Sequence, residues 1–175
     1  GLTFPEGVRT VDNSRHALIA ELDRSLARLG TDFVDIWQVH SWDPIAPIDD
    51  TLSALDYAYS TGRARYVGVS NFTGWQLAQS ATKQISNSAK APITSIQSEY
   101  SLLNRDAEIE ILDSAQACGV GFLAWAPLGR GVLTGKYRNG IPSDSRGAAP
   151  HFAKDIAPYL DSRSSSIVES VCVAA

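Results

Sequence analysis

Short apolar segments alternate with amphipathic segments along most of this chain, in steps of roughly 25 to 40 residues. The first apolar segment, Val34–His40, is rich in β-branched residues and is followed by Pro44, a pattern typical of a buried strand that ends in a loop. Three similar segments follow at Arg65–Asn71, Thr94–Gln97 and Gly121–Trp125. Because amphipathic helical patterns separate the four segments, the sequence predicts βα units and a parallel sheet.

Two parallel architectures fit this alternation, a doubly wound sheet and a TIM barrel. A dinucleotide-binding doubly wound sheet needs a glycine-rich turn after its first strand, and none follows Val34–His40. Polar or aromatic residues stand at the ends of four successive predicted strands, as at the mouth of a barrel. We therefore expect an α/β fold of the (β/α)8 TIM-barrel class. Four strands cannot close a barrel of eight, so residues 1–175 are expected to be one domain that forms part of a barrel.

Length and charge narrow the function classes. The 175 residues suit one domain, and the net charge of −4 gives no general attraction to nucleic acid or to an anionic membrane. No apolar stretch is long enough to span a membrane. Cys118 and Cys172 have neither metal-ligand spacing nor a disulfide-rich pattern. We expect a cytoplasmic protein that has no metal site, nucleic-acid partner or membrane partner.

The residues at the strand ends have more than one interpretation when read alone. His40 is either a substrate contact or a core histidine bonded to backbone carbonyls. Ser70 and Asn71 are either ligand contacts or ordinary caps of a strand exit, and Trp125 is either a ring-stacking residue or a core residue. From Lys136 to about Pro158 no periodicity is visible, which predicts a long surface loop.

Four motifs favour the functional interpretation of these residues, because they occur together and in order: VDIWQVHSWDP, YVGVSNF, SIQSEYSLL and WAPLGRGVLTGKY. Together they resemble the aldo-keto reductase superfamily, and more closely its bacterial and potassium-channel-β-like branches. The resemblance runs from about Leu18 to Arg146. It implies a TIM barrel of which this chain covers roughly the fourth to seventh βα units. It also implies hydride transfer from NADPH to the carbonyl carbon of an aldehyde or ketone, a small-molecule substrate.

The resemblance gives individual residues a role. His40 matches the histidine that orients the carbonyl. The positions that hold the nicotinamide carboxamide are matched by Ser70, Asn71 and Gln97. Trp125 matches the aromatic residue that stacks on the nicotinamide ring. The residues that match the pyrophosphate loop are Ala126, Pro127, Leu128, Gly129 and Arg130; those that match basic positions near the cofactor phosphates are Lys136 and Arg146. Trp42 and Tyr100 are candidates for the substrate pocket, and His16 and His151 are expected at the surface.

One departure from the family is large. The family's catalytic aspartate, tyrosine and lysine have no match in this sequence, so we expect the chain to be incomplete and inactive alone. The alternative is a non-catalytic, cofactor-binding regulatory module or fragment. A half-barrel exposes apolar strand faces and unpaired edges, so we expect them to be covered by a second copy of the chain or by the remaining part of the barrel.

Overall fold

The computed structural model describes residues 2–3 and 10–174, which form an α/β fold. The chain divides into two compact units. The first unit comprises residues 1–98 and 108–123, and the second comprises residues 99–107 and 124–175.

A four-stranded sheet in sequence order is the main feature of the fold. Strands β1 (Leu2–Thr3) and β2 (Thr10–Val11) form a short antiparallel pair. The larger sheet has the order β3-β4-β5-β6, and its strands are β3 (Val34–Val39), β4 (Ala64–Ser70), β5 (Ile93–Glu99) and β6 (Gly121–Trp125). Because β3 pairs with β4 and β4 with β5 in parallel, the predicted parallel sheet is confirmed. A doubly wound sheet reverses its strand order at a switch point, and these four strands show no reversal.

Four helices connect the strands of the first unit: α1 (Arg15–Leu29), α2 (Ile48–Ser60), α3 (Gly74–Ile85) and α4 (Ile111–Ala117). Local signals define α1 well. The Ser14 side chain accepts a hydrogen bond from the Ala17 N–H at its start, and Gly30 ends it with φ of 68°. Leu18, Leu22 and Leu26 form its buried face, as their four-residue spacing predicts.

The helices pack on one face of the sheet. Strand side chains that alternate along β3, β4 and β5 are buried against them, namely Val39, Val67, Val69 and Ile96, together with Leu22, Leu52, Leu55 and Leu77 from the helices. Full burial of each such side chain contributes about 1.5–3 kcal/mol relative to an exposed one. The prediction that β3 is a buried strand is wrong in part, because Ile36 keeps 49% of its surface exposed on the opposite face.

The second unit is less regular. It contains a 3₁₀ turn (Gly129–Thr134), helix α5 (Pro150–Ile156) and helix α6 (Ser162–Ala174) around a small core that includes Val132, Ile156 and Val168. The predicted loop from Lys136 to Pro158 is therefore wrong where α5 lies. Pro150 stands at the first turn of α5, where a proline costs no hydrogen bond. No helix in the described part of the chain is long and apolar enough to cross a membrane.

Candidate functional site

The carboxyl ends of β3, β4 and β5 meet through Asn71, which follows β4. Its backbone N–H donates to the Gln97 carbonyl oxygen at 2.8 Å, and its Nδ2 donates to the His40 carbonyl oxygen at 2.8 Å. Nδ2 also donates to Ser70 Oγ at 3.1 Å. The structure thus brings together the four residues of the first unit that the resemblance assigns to the substrate carbonyl and the nicotinamide carboxamide. We call His40, Ser70, Asn71 and Gln97 the strand-exit cluster.

Asn71 has a special backbone conformation in this cluster. Its φ of 55° is left-handed, a region that asparagine tolerates better than most residues with a side chain. Because its Nδ2 group bonds to the His40 carbonyl and to Ser70, Asn71 holds neighbouring strand ends in place. This gives the residue a positioning role in addition to the predicted cofactor contact.

Gln97 lies within β5, two residues before its end, so the predicted strand end at Gln97 is corrected to Glu99. Ser70 and Gln97 are paired in register, and the pairing of Val39 with Val69 places His40 level with Ser70. The Gln97 side chain is half-buried and makes no hydrogen bond within the described residues. Its amide therefore offers one donor group and one acceptor to a ligand.

A polar layer lies two residues before the cluster along the strands. Gln38 Nε2 donates to Ser95 Oγ at 3.0 Å, and the register places Gly68 between these two residues. Gln38, Gly68 and Ser95 therefore lie on the same face of the sheet as His40, Ser70 and Gln97, opposite the helices. This arrangement satisfies two polar side chains directly beneath the strand-exit cluster.

The segment after His40 is anchored by a buried carboxylate. Asp43 accepts hydrogen bonds from the backbone N–H groups of Asn13 at 2.9 Å, Ile45 at 2.8 Å and Ala46 at 3.2 Å. Asn13 Nδ2 donates in turn to the Ser41 carbonyl oxygen at 2.7 Å. Burial alone would raise the pKa of the Asp43 carboxyl, but the three backbone donors outweigh burial and the pKa lies below its ordinary value. The His40 backbone is thus followed at once by a fixed turn.

Replacement of this carboxylate tests the anchor. Asp43→Asn is expected to lower the free energy of unfolding by about 1–3 kcal/mol at neutral pH, because an amide nitrogen cannot accept the bonds that the carboxylate accepts. The folded-state pKa is lowered, so this stability is present above the ordinary carboxyl pKa and is lost as the pH falls through the folded pKa. Urea unfolding at several pH values should therefore show a difference between wild type and variant that shrinks in acid.

Asp35 provides the matched control for this substitution. It pairs with Arg65 at 2.7 Å on the surface, and its side chain is 72% exposed. Asp35→Asn should leave stability nearly unchanged. If Asp43→Asn is equally harmless at neutral pH, the carboxylate does not anchor the segment.

The other candidate residues near the strand ends differ in their contacts and in their exposure to solvent. Trp42 packs edge-on against Phe72 and Trp75, with ring centroids 5.2 and 5.4 Å apart. Tyr100 is half-buried, and its N–H donates to the Trp125 carbonyl oxygen at 3.3 Å. The roles of Trp42 and Tyr100 in a substrate pocket stay predictions. His40 is exposed, and so are His16 and His151, which were expected at the surface.

In the second unit, the segment after β6 adopts an unusual backbone. Ala126, Gly129, Arg130 and Gly131 all have left-handed φ values, of 51°, 55°, 55° and 96°. Gly129 N–H donates to the Ala126 carbonyl oxygen, and Gly131 N–H donates to the Leu128 carbonyl oxygen. These two amides close tight turns, so they are already bonded within the loop that the resemblance assigns to the pyrophosphate.

This loop borders an open cleft of about 410 Å³, which we call the loop cleft. Its lining residues are Trp125, Ala126, Pro127, Leu128, Arg130, Gly131, Lys136 and Arg146. The structure thus brings together all the predicted cofactor residues of the second unit except Gly129, which is buried against Leu103. Lys136 and Arg146 are exposed, and neither pairs with a carboxylate among the described residues.

Arg130 differs from the other two cations of the cleft. Its guanidinium forms an ion pair with Glu99 at 3.2 Å and lies 5.1 Å from the centre of the Trp125 ring. Tyr159 also donates to Glu99, at 2.9 Å. The sequence interpretation assigned no role to Glu99 or Tyr159. A charged residue at the end of an apolar strand is a weak signal for Glu99, whereas nothing near Tyr159 in the sequence indicates its partner.

Metal ligands are not grouped in the described residues. No set of three or more His, Cys, Asp or Glu side chains there is arranged to hold an ion. The strand-exit cluster offers an imidazole, a hydroxyl and amides, and the loop cleft offers cations and backbone groups.

Comparisons with known proteins agree on one family for this chain. A family model described as "Aldo/keto reductase family" matches residues 4–172. An L-glyceraldehyde 3-phosphate reductase of Escherichia coli (strain K12) is 42% identical over 134 residues, which are 76% of this chain and 38% of that protein. Aldo-keto reductase YhdN of Bacillus subtilis (strain 168) is 37% identical over 123 residues, 70% of this chain and 35% of that protein.

A potassium-channel subunit is also among the similar proteins. A putative voltage-gated potassium channel subunit beta of Schizosaccharomyces pombe is 35% identical over 138 residues, 78% of this chain and 40% of that protein. The chain spans less than half the length of each of these curated relatives.

Proposed function

The chain belongs to the aldo/keto reductase family. We propose that it functions in an NADP(H)-dependent oxidoreductase that reduces aldehydes or ketones to alcohols. The observation that carries this proposal is the strand-exit cluster. Hydrogen bonds from Asn71 join the ends of three neighbouring parallel strands, where chemistry gathers in barrel enzymes. A cluster of one imidazole, one hydroxyl and two amides suits a carbonyl group and a carboxamide.

The fold proposal follows from the family. Aldo/keto reductases imply a (β/α)8 barrel, and the uninterrupted order of β3 to β6 is compatible with an arc of one. We place these strands as the fourth to seventh of that barrel, within a single domain. The remaining part of the barrel, or a second copy of the chain, would cover the exposed face on which Ile36 lies.

In this proposal His40 is the residue that touches the substrate. A neutral imidazole donates one hydrogen bond, and His40 is exposed at the end of an ordered strand. It would hold the oxygen of the carbonyl group in a fixed direction, which lowers the entropy cost of reaction. Because the family's aspartate, tyrosine and lysine have no match here, we propose that His40 orients the substrate and that this chain alone does not complete the proton transfer.

NADP(H) supplies the hydride when bound. The available amide of Gln97 and the hydroxyl of Ser70 suit the carboxamide of nicotinamide, and we retain Asn71 in that set. Trp125 is proposed to stack on the nicotinamide ring. In the loop cleft, Lys136 and Arg146 offer charge to the phosphates, and Gly131, which has no side chain, lets a ligand approach the backbone closely. The fit favours a phosphorylated cofactor, and the preference for NADP(H) rests on the family.

The proposal includes a setting for the reaction. The substrate would be a small carbonyl compound, and the protein would work in the cytoplasm, as expected from its two cysteines. Nucleic acid and membranes are not proposed as partners.

The direct test measures NADPH binding by this chain, and turnover by the barrel that the chain forms with its remaining part or with a second copy. NADPH fluorescence titration should show saturable binding, and aldehyde reduction is followed by the loss of NADPH absorbance in the complete protein. His40→Phe should lower kcat/KM about 100-fold with little change in NADPH affinity, because the lost hydrogen bond acts on the substrate carbonyl. His151→Phe, at an exposed site in α5, is the control. Failure of the unaltered protein to bind NADPH would contradict the proposed function.

A second function has one observation in its favour, the similarity to the putative channel subunit beta of Schizosaccharomyces pombe. It is a regulatory module that binds the cofactor without turnover. NADPH binding by the complete protein, with no reduction of any aldehyde or ketone in a broad panel, would favour this module over the enzyme.

A further inference from the structure

Two side chains of the second unit, those of Arg130 and Tyr159, meet at one carboxylate, that of Glu99 at the end of β5. Arg130 Nε donates to Oε1 at 3.2 Å and its Nη2 lies 3.5 Å from Oε2, so the pairing is bidentate. Tyr159 Oη donates to Oε1 at 2.9 Å. The Arg130 guanidinium also lies over the Trp125 indole at 5.1 Å. We call Glu99, Arg130, Trp125 and Tyr159 the Glu99 cluster.

The cluster is better shielded from water than the other ion pairs found among the described residues. The Glu99 and Arg130 side chains keep 17% and 26% of their surface, against 56% and 44% for Glu169 and Arg138. Burial alone would lower the pKa of Arg130, but its bond to Glu99 outweighs burial and raises it. Arg130 is therefore charged and compensated by Glu99, so it adds little net charge to the loop cleft. Lys136 and Arg146 supply that charge instead.

The backbone conformation at Arg130 is a second, independent sign that the Arg130 side chain is held in place. Gly129, Arg130 and Gly131 are three successive left-handed residues, and Arg130 alone among them has a side chain. A left-handed arginine costs free energy that the native structure must repay elsewhere. Backbone hydrogen bonds of Gly129 and Gly131 close the turns on either side of it, and the Arg130 side chain adds the bidentate pair with Glu99 and the contact with Trp125.

We propose that Glu99 is a positioning residue, which holds the Arg130 side chain against the Trp125 ring and thereby fixes both the ring and the loop at residues 126–131. Tyr159 gives the carboxylate a third point of attachment, from the segment between α5 and α6. The effect on the tertiary structure is independent of function. The consequence for cofactor affinity rests on the proposed function, since Trp125 and the loop are its proposed cofactor contacts.

The test uses Glu99→Gln in the full chain, which keeps the shape and removes the charge. NADPH affinity, measured at high salt so that the charge freed on Arg130 is screened, is expected to fall roughly tenfold, the size of one lost charge-assisted hydrogen bond at a half-buried site. The indole N–H resonance of Trp125, assigned by its absence in Trp125→Phe, should shift or broaden. Glu169→Gln is the matched control, because it removes the same charge from the exposed pair with Arg138. It should change neither measurement.

Arg130→Gly separates positioning from stability. Glycine adopts the left-handed conformation readily, and this gain offsets the lost ion pair with Glu99, so the unfolding midpoint should change little. Loss of the side chain should still move the Trp125 resonance and weaken NADPH binding. A purely structural Arg130 would give the reverse pattern, a lower midpoint with no specific change at Trp125.

Two outcomes would overturn the inference. The first is a Trp125 resonance that stays in place in Glu99→Gln and Arg130→Gly. The second is an equal response of both measurements to Glu169→Gln. If the unaltered chain does not bind NADPH, the proposed function fails, and the Trp125 resonance alone decides whether Glu99 positions the ring.

Discussion

Gly68→Ala is expected to lower the free energy of unfolding by about 3 kcal/mol, the upper end of the usual cost of overpacking a well-packed site. A Cβ atom at residue 68 would lie 2.2 Å from Ser95 Oγ and 2.6 Å from the Ser95 carbonyl oxygen. The hydroxyl can rotate away, but the carbonyl belongs to the backbone of β5. The variant therefore has to move β5 relative to β4. Denaturant unfolding of wild type and variant measures the loss.

The same substitution should disturb the strand-exit cluster. Ser70 lies two residues beyond Gly68 and is paired with Gln97, so displacement of β4 from β5 changes the separation of those two side chains. Weaker NADPH binding should accompany the loss of stability. Chemical shifts at Asn71, whose N–H bonds to the Gln97 carbonyl oxygen, report the displacement directly.

Two variants define which contact causes the loss. Gly121→Ala places a Cβ in the neighbouring strand β6, where the nearest atom, the Thr94 carbonyl oxygen, is 3.4 Å away, and should be nearly neutral. Gly68→Ala combined with Ser95→Gly removes the 2.2 Å contact but leaves the 2.6 Å contact, so recovery should be partial. Full stability in Gly68→Ala alone would show that the two strands do not pack as closely as described.

Gly68 also shows why some of the fold lies beyond sequence reasoning. The strands and α1 are encoded locally, by β-branched runs, by Ser14 at the helix start and by Gly30 at its end. The need for glycine at residue 68 arises only when the register sets it between Gln38 and Ser95, which come from two other strands. Helix α5 was missed for a different reason, since seven residues give too few turns for a periodic pattern.

The candidate site likewise has a part that the sequence predicts and a part that it does not. The strand-exit cluster is predictable because parallel strands bring their carboxyl ends to one edge, so residues at strand ends in sequence become neighbours in space. The Glu99 cluster is not, because Glu99 is 31 residues from Arg130 and 60 from Tyr159. The resemblance assigned Arg130 to the pyrophosphate. Its pairing with Glu99 leaves Lys136 and Arg146 as the cations of the cleft without a carboxylate partner in the described part of the chain.

The largest expected loss of cofactor affinity comes from the two cations of the loop cleft that have no carboxylate partner among the described residues. Replacing both Lys136 and Arg146 by glutamine should weaken NADPH binding about 100-fold at low salt, roughly tenfold for each cation. Both side chains are exposed on the loop cleft, so their attraction for phosphate is screened by salt. The affinity of wild type should therefore fall with added salt more steeply than that of the double variant. Titrations at several salt concentrations measure both effects.

The control and a second cofactor make the result specific. Lys154→Gln with Arg163→Gln removes the same formal charge from exposed positions on α5 and α6, and should change affinity little. NADH lacks the adenosine 2′-phosphate, so a loss confined to NADPH assigns the two cations to that phosphate, and an equal loss with NADH assigns them to the pyrophosphate. Unchanged affinity for both cofactors would contradict a phosphate site in the loop cleft. Arg130→Gln combined with Glu99→Gln removes both members of a compensated pair and keeps the net charge, so it should weaken binding without flattening the salt dependence, which separates a residue that positions the loop from residues that attract the ligand.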